Sequence, residues 1–144
     1  MKLRLATALD APDLARLENT QTLCAHWGEN GWKTETAQPA SIVWCAEEEG
    51  QLVGFAAMRV AAGLGEILNV AVHPNYCRRG IAFSLLSKLL QEARHQSCEE
   101  LSLEVNIRNR AAISLYTKLG FLEVGRREKF YNAKEDALIM RISV

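Results

Sequence analysis

The run Asn69-Val70-Ala71-Val72-His73-Pro74-Asn75-Tyr76-Cys77-Arg78-Arg79-Gly80-Ile81-Ala82 reads as a strand, a turn marked by Pro74-Asn75, and a helix beginning near Gly80. The first backbone N–H groups of a helix have no partner within it, and the helix dipole places about half a positive charge there. Gly80 and Ala82 put no bulk in the way, so a phosphate oxygen can approach the main chain, with Arg78 and Arg79 as cations beside it. The run fits neither G-x-G-x-x-G nor G-x-x-x-x-G-K-[ST], which argues against a dinucleotide or a nucleoside triphosphate. A plain strand–turn–helix with two surface arginines is the competing reading. Two other residues have proton chemistry to offer. Glu104 is the sole charged side chain in the strand-like run Leu101–Val105 and shares a face with Ser102. Tyr116 carries a phenol with an ordinary pKa of about 10. Each also has a structural reading, Glu104 as a solvated strand residue and Tyr116 as a core aromatic beside Ile113 and Leu119.

Cys24, Cys45, Cys77 and Cys98 contain no C-x-x-C, and His26, His73 and His95 do not join them at zinc-ligand spacing. Four reduced thiols and no metal are expected, and no local motif supports a Cys–His nucleophile. The 144 residues fit one domain, 1–144, large enough to bury its core without a staple. Hydrophobic residues make up 49% and charged residues 24%, which excludes disorder and repeats. No run reaches the ~20 apolar residues of a membrane span, and Asp10 and Asp13 come too early for a signal peptide, so a cytoplasmic protein is expected. Net charge is zero, which argues against nucleic acid as a direct partner. The halves differ: residues 1–72 carry five positive and nine negative charges, residues 73–144 twelve and eight. The second half is the place to seek an anionic ligand.

Elements must position these residues. Leu3 and Leu5 suggest a first strand, Asp10 an N-cap, and Pro12 the first turn of a helix running toward Leu23. Gly28, Gly31 and Pro39 predict a loop over His26–Ala40 with one short helix. Strands follow over Ile42–Ala46, Leu52–Val60 and Glu66–Val72, with turns at Glu49-Gly50-Gln51 and Gly63-Leu64-Gly65. The 3.6-residue spacing of Ile81, Leu85, Leu86, Leu89, Leu90 and Ala93 predicts a helix over Ile81–Gln96. Then come the strand Leu101–Val105, a helix from Asn109 to Leu119 ended by Gly120, and strands Phe121–Tyr131 and Ala137–Val144. A meander followed by two strand–helix steps gives a mixed sheet with helices on both faces.

With these residues in this order, the sequence resembles the GNAT superfamily of acetyl-CoA-dependent N-acetyltransferases. Their signature is a strand, [QR]-x-x-G-x-[GA], and a helix cradling the pyrophosphate of coenzyme A. Gly80 and Ala82 match, while Cys77 stands where Gln or Arg is usual. Asn109-Arg110-Ala111-Ala112-Ile113-Ser114-Leu115-Tyr116-Thr117-Lys118-Leu119-Gly120-Phe121 resembles the second signature, N-x-x-A-x-x-x-Y-x-x-x-G-F. The element order is also the family's, so the likeness covers essentially the whole chain. Within the superfamily the nearer likeness is to the RimI-type enzymes, which acetylate the N-terminal alanine of a small-subunit ribosomal protein. It rests on Leu103-Glu104-Val105, the run to Tyr116, Phe130-Tyr131 and Glu135-Asp136-Ala137-Leu138-Ile139-Met140. His26-Trp27 replaces the frequent Pro-Trp, and the hairpin loop Asn132-Ala133-Lys134 is short.

The resemblance implies an α+β fold, an α/β/α sandwich with a mixed, mostly antiparallel sheet. It implies acetyl-CoA as cosubstrate, without metal, held by Arg78, Arg79, Gly80, Ile81, Ala82, Phe83 and Asn109. The strand Val70, Ala71, Val72 is expected to splay for the pantetheine and to offer a backbone N–H to the thioester oxygen. Glu104 is then the candidate base and Tyr116 the candidate acid. The implied partner is a protein N-terminus, with the enzyme a monomer or weak dimer and no membrane involved. A lysine or small-molecule amine as acceptor, or a non-catalytic coenzyme A-binding module, are the alternatives. An α-amine suits a modest base: near pKa 7.7–8.0 it is roughly a quarter neutral at pH 7.4, whereas a lysine is neutral about one part in a thousand.

Overall fold

The computed structural model describes residues 1–131 and 135–144, together with the side chains outside 129–131. The loop Asn132-Ala133-Lys134 and the side chains of Phe130 and Tyr131 therefore lie outside the described residues. In chain order the elements are β1 (Lys2–Leu5), α1 (Ala11–Glu18), α2 (Gly28–Ala37), β2 (Ser41–Glu48), β3 (Gln51–Ala61), β4 (Leu64–Val72), α3 (Ile81–His95), β5 (Glu100–Asn106), α4 (Arg110–Leu119), β6 (Leu122–Tyr131) and β7 (Glu135–Ser143). The strands form one sheet in the order β1-β2-β3-β4-β5-β7-β6. β4 and β5 run parallel and the other described neighbours antiparallel, as the mixed-sheet reading expects.

Strand alternation divides the core between the two faces. On one face Ala56, Met58, Leu101, Leu103 and Leu138 pack with Leu85, Leu86 and Leu89 of α3 and Tyr116 of α4. On the other, Val43, Cys45, Phe55 and Ala57 pack with Leu14 of α1 and Trp32 of α2. Both turns of the meander are two residues long, Glu49-Gly50 and Ala62-Gly63, each with positive φ at both positions. That backbone matches the twist of the flanking strands. The second turn corrects the expected one, because Leu64 and Gly65 already belong to β4.

Three local expectations change near the N-terminus. Asp10 does not cap α1 with its side chain. Thr7 caps the preceding turn, and Asp10 completes a capping box by accepting from the Thr7 N–H at 2.8 Å. Helix α1 stops at Glu18 rather than running toward Leu23, because the chain tightens into three-residue turns in which the N–H and hydroxyl of Thr20 both donate to the Leu17 carbonyl. The Glu18 carboxylate then turns inward, 1% exposed, to accept from the N–H of Trp27 at 3.0 Å, of Gly28 at 2.7 Å and the indole N–H of Trp32 at 3.0 Å. An anion on these donors anchors α2, which at ten residues is longer than the short helix expected. Among the described residues no helix is long and apolar enough to cross a membrane.

Two further buried carboxylates make stability depend on acidity. The Arg4 guanidinium grips Asp10 with two bonds of 2.8 Å, and Arg59 grips Glu35; these bonds hold both carboxyls below their ordinary values of 3.8 and 4.5, against the opposing effect of burial. A carboxyl more acidic in the folded than in the unfolded chain adds stability that is complete above its unfolded value and is lost as pH falls through its folded value. The melting temperature should therefore hold from pH 7 to about 5 and fall below about pH 4. Asp10→Asn should cost about 2 kcal/mol at pH 7 and flatten part of that acid limb, measured by thermal denaturation across pH.

Candidate active site

The site begins where β4 and β5 part. β3 and β4 pair through Ala57–Asn69, and the next pair is Met58–Ile67, so Leu68 is an extra residue on β4. Such a bulge bends its strand. The parallel pairing of β4 with β5 runs from Leu64–Glu100 to Ile67–Leu103 and ends there. Beyond it the two strands line a cleft of about 470 Å³. His73 donates its N–H to the Val53 carbonyl at 2.8 Å. Because these directions alternate along a strand, Val70 and Val72 turn their N–H and C=O groups to the open edge, and Ala71 turns its own toward β3. The Val72 carbonyl is met on that edge by the side-chain amide of Gln21 at 2.9 Å.

The start of α3 is built by two glycines. Gly54 on β3 lets α3 sit close, since a Cβ there would lie 3.2 Å from both Ile81 Cγ2 and Leu85 Cδ1. Gly80 occupies the N-cap at φ +77°, and Arg78 is also left-handed at φ +65°. No side chain caps this helix end at Gly80. A Cβ on Gly80 would meet no protein atom within 4 Å, so the position is constrained by its backbone angle and not by crowding within the chain. Ala82 lines the cleft. Ile81 is buried beneath the helix, leaving only its main chain to face a ligand, while Arg78, Arg79 and Phe83 are exposed. The Arg79 guanidinium lies 4.9 Å from the centre of the Tyr76 ring.

Glu104 and Tyr116 reach the cleft from opposite faces of the sheet. Leu101, Leu103 and Val105 are buried on the α3–α4 side, so Glu104 projects to the α1–α2 side. There Arg127 of β6 donates to its carboxylate at 2.6 Å. Tyr116 comes from α4, is 7% exposed, and stands edge-on to Phe121 at 5.7 Å. Both line the same cleft, with Val70, Ala71, Val72 and Asn109. Asn109 caps α4, its Oδ1 accepting from the Ala112 N–H at 3.3 Å.

The structure adds residues that the sequence reading did not single out: Gln21, Cys24, Asn69 and Asn106 also line the cleft. Asn69 donates to the Ala25 carbonyl at 3.0 Å, and Asn106 accepts from the Arg108 N–H at 2.9 Å. A polar amide within the apolar run Ile67–Val72 was the available signal for Asn69, because a buried amide must find a partner. Gln21 had no such mark. His26 bonds the Gln21 carbonyl through Nε2 at 2.9 Å, and Trp27 packs on Trp32 at 4.6 Å. Burial pushes the Cys24 thiol up to about 11 and the Cys45 thiol to about 12, so neither is a thiolate at neutral pH. Among the described residues no group of three His, Cys, Asp or Glu side chains is placed to hold a metal ion.

A bulged strand thus parts from its parallel neighbour beside a helix start that has no side-chain cap. The Acetyltransferase (GNAT) family matches residues 11–121, and the chain belongs to that family. It is an acetyltransferase. Among relatives, it is similar to the [ribosomal protein bS18]-alanine N-acetyltransferase of Escherichia coli K12, 36% identical over 100 residues, covering 67% of this chain and 68% of that one. It is also 29% identical to the N-alpha-acetyltransferase of Sulfolobus acidocaldarius over 96% of this chain and 90% of the other. The crystal structure of the ribosomal-protein-S18-alanine N-acetyltransferase from Escherichia coli superposes with a TM-score of 0.91 at 28% identity, over 99% of this chain and 93% of that one.

Proposed function

We propose that the protein transfers the acetyl group of acetyl-CoA to the α-amine of a protein N-terminus, with an alanine-first ribosomal protein as acceptor. The likeness to the Escherichia coli enzyme favours that acceptor. One observation carries the reading: a cleft opened between parallel strands presents Glu104 from one face and Tyr116 from the other. The residues at the α3 start fit an anionic cosubstrate. The N–H groups of Ile81, Ala82 and Phe83 lack intrahelical partners, Gly80 leaves open space before them, and Arg78 and Arg79 add positive charge.

Acetyl-CoA supplies the activated acyl carbon and a thiolate leaving group. An N–H of Val70 or Val72 on the open edge donates to the thioester oxygen as negative charge develops. Ala71 contributes a small side chain in place of a hydrogen bond. Glu104, held by Arg127, takes the proton of the incoming ammonium, directly or through one water. As the C–S bond breaks, Tyr116 gives its phenolic proton to the departing sulfur, and the second proton shed by the new amide nitrogen returns to the phenolate through solvent.

Gly80→Asp tests the reading at the cosubstrate. Aspartate tolerates the left-handed angle better than most residues, and its carboxylate can cap the helix, so the fold should survive. The same carboxylate occupies and repels the anion's place. Calorimetry should show acetyl-CoA bound at least tenfold more weakly, with acetyl transfer to an alanine-first peptide falling in step at subsaturating acetyl-CoA. Unchanged affinity in a folded variant would remove this helix start from the binding site.

A further inference from the structure

We infer that two side-chain amides, Asn69 and Gln21, pin the α1–α2 loop to β4 and thereby position the wall against which the acceptor's first residue is selected. This rests on the acceptor reading above. The loop, residues 19–27, contains no helix or strand, yet its Leu23, Cys24 and Ala25 line the cleft on the face where Glu104 projects. Glu18 holds its far end through the Trp27 N–H, and its middle is tied to the sheet by two side-chain amides. Asn69 Nδ2 donates to the Ala25 carbonyl at 3.0 Å, and Gln21 Nε2 donates to the Val72 carbonyl at 2.9 Å.

The bulge makes the first tie feasible. Ile67 and Val70 both pack on the α3–α4 side although they are three residues apart, which strict alternation forbids. Alternation counted from Ile67 would send Asn69 into that apolar core, where its amide would lack a partner. The extra residue, Leu68, turns Asn69 with Ala71 to the α1–α2 side, where it is 5% exposed and meets the loop. One irregularity in β4 thus opens the strand pair for the cosubstrate and aims the amide that sets the acceptor wall. The Gln21 tie falls on a carbonyl of that same open edge, so wall and cosubstrate share one strand as reference. Asn69 and Gln21 are positioning residues that act through the loop.

The test compares the wild type with Asn69→Leu, which keeps the branched side-chain skeleton without a donor, and Gln21→Ala at a half-buried loop position. Each is assayed with peptides beginning with Ala or Leu, alongside acetyl-CoA calorimetry and amide exchange. Losing a tie should raise the KM for the alanine-first peptide about tenfold and lower the Ala-over-Leu preference in kcat/KM at least fivefold. The kcat and the acetyl-CoA affinity should stay within about twofold, a split that general destabilisation would not produce. Exchange should quicken in residues 19–27 while β5 and α4 hold. Should Asn69→Leu fail to fold, Gln21→Ala carries the test alone. Unchanged KM, preference and loop exchange in the folded variants overturn the inference. A wild type that acetylates neither peptide overturns the acceptor reading and this inference with it, and is told apart because it appears before any substitution.

Discussion

Replacing Tyr116 with Phe should lower kcat by ~10²–10⁴ while leaving the acetyl-CoA dissociation constant within about threefold. Phenylalanine keeps the ring that packs edge-on against Phe121 at 5.7 Å, so the core should barely change. What it removes is a proton. In water a phenol of pKa about 10 is a slightly weaker acid than a thiol of about 8.5, an uphill transfer of about 2 kcal/mol. Burial in the cleft disfavours phenolate and thiolate alike, so the gap stays small and the proton moves as the C–S bond breaks. The phenol is therefore required only as sulfur departs, and its loss should appear in kcat and not in ground-state binding. A variant within about threefold of wild-type turnover would leave Tyr116 as a packing residue.

Glu104→Gln should show a defect that depends on pH. At pH 6.5 nearly all of an α-amine is protonated, and a glutamine that cannot accept its proton should cost ~10–10² in turnover. Between pH 6.5 and 9 the neutral fraction of an amine near pKa 7.8 rises about twentyfold, so solvent takes over the deprotonation and the defect should shrink across that interval. A lysine acceptor would delay the recovery until about pH 10. The experiment is a pH series of kcat/KM for variant and wild type with one alanine-first peptide. A deficit that stays level from pH 6.5 to 9.5 would assign Glu104 a binding or structural role, for which its bond to Arg127 offers a basis.

What the sequence made legible is what short-range chemistry decides. The start of α3 near Gly80, the extent of α4 with its Gly120 stop, and the side of β5 on which Glu104 projects all follow from spacing over a few residues. The bulge at Leu68 and the end of the β4–β5 pairing at Ile67–Leu103 do not, because register is settled between strands far apart in sequence. Without that bulge, alternation in β4 misplaces Asn69. Helix α2 was obscured by Gly28 and Gly31, whose low helix propensity is outweighed by a carboxylate ten residues upstream of Gly28. Asp10 has a residue type that fits a cap, but its partners Arg4 and Thr7 lie on the other side of the chain's first turn. The bulge and α2 depend on partners distant along the chain, whereas Asp10 serves the turn just before the helix it was expected to cap.

The central claim is transfer of an acetyl group to a peptide α-amine. The most direct measurement uses one peptide with a free N-terminal alanine and an internal lysine, incubated with acetyl-CoA and the wild-type protein at pH 7.4, with the position of the added acetyl group read by fragmentation mass spectrometry. A single acetyl group on the alanine nitrogen, absent when that nitrogen is blocked beforehand, is the predicted result. Acetylation of the lysine in the free or blocked peptide, or release of coenzyme A with no modified peptide, would contradict it.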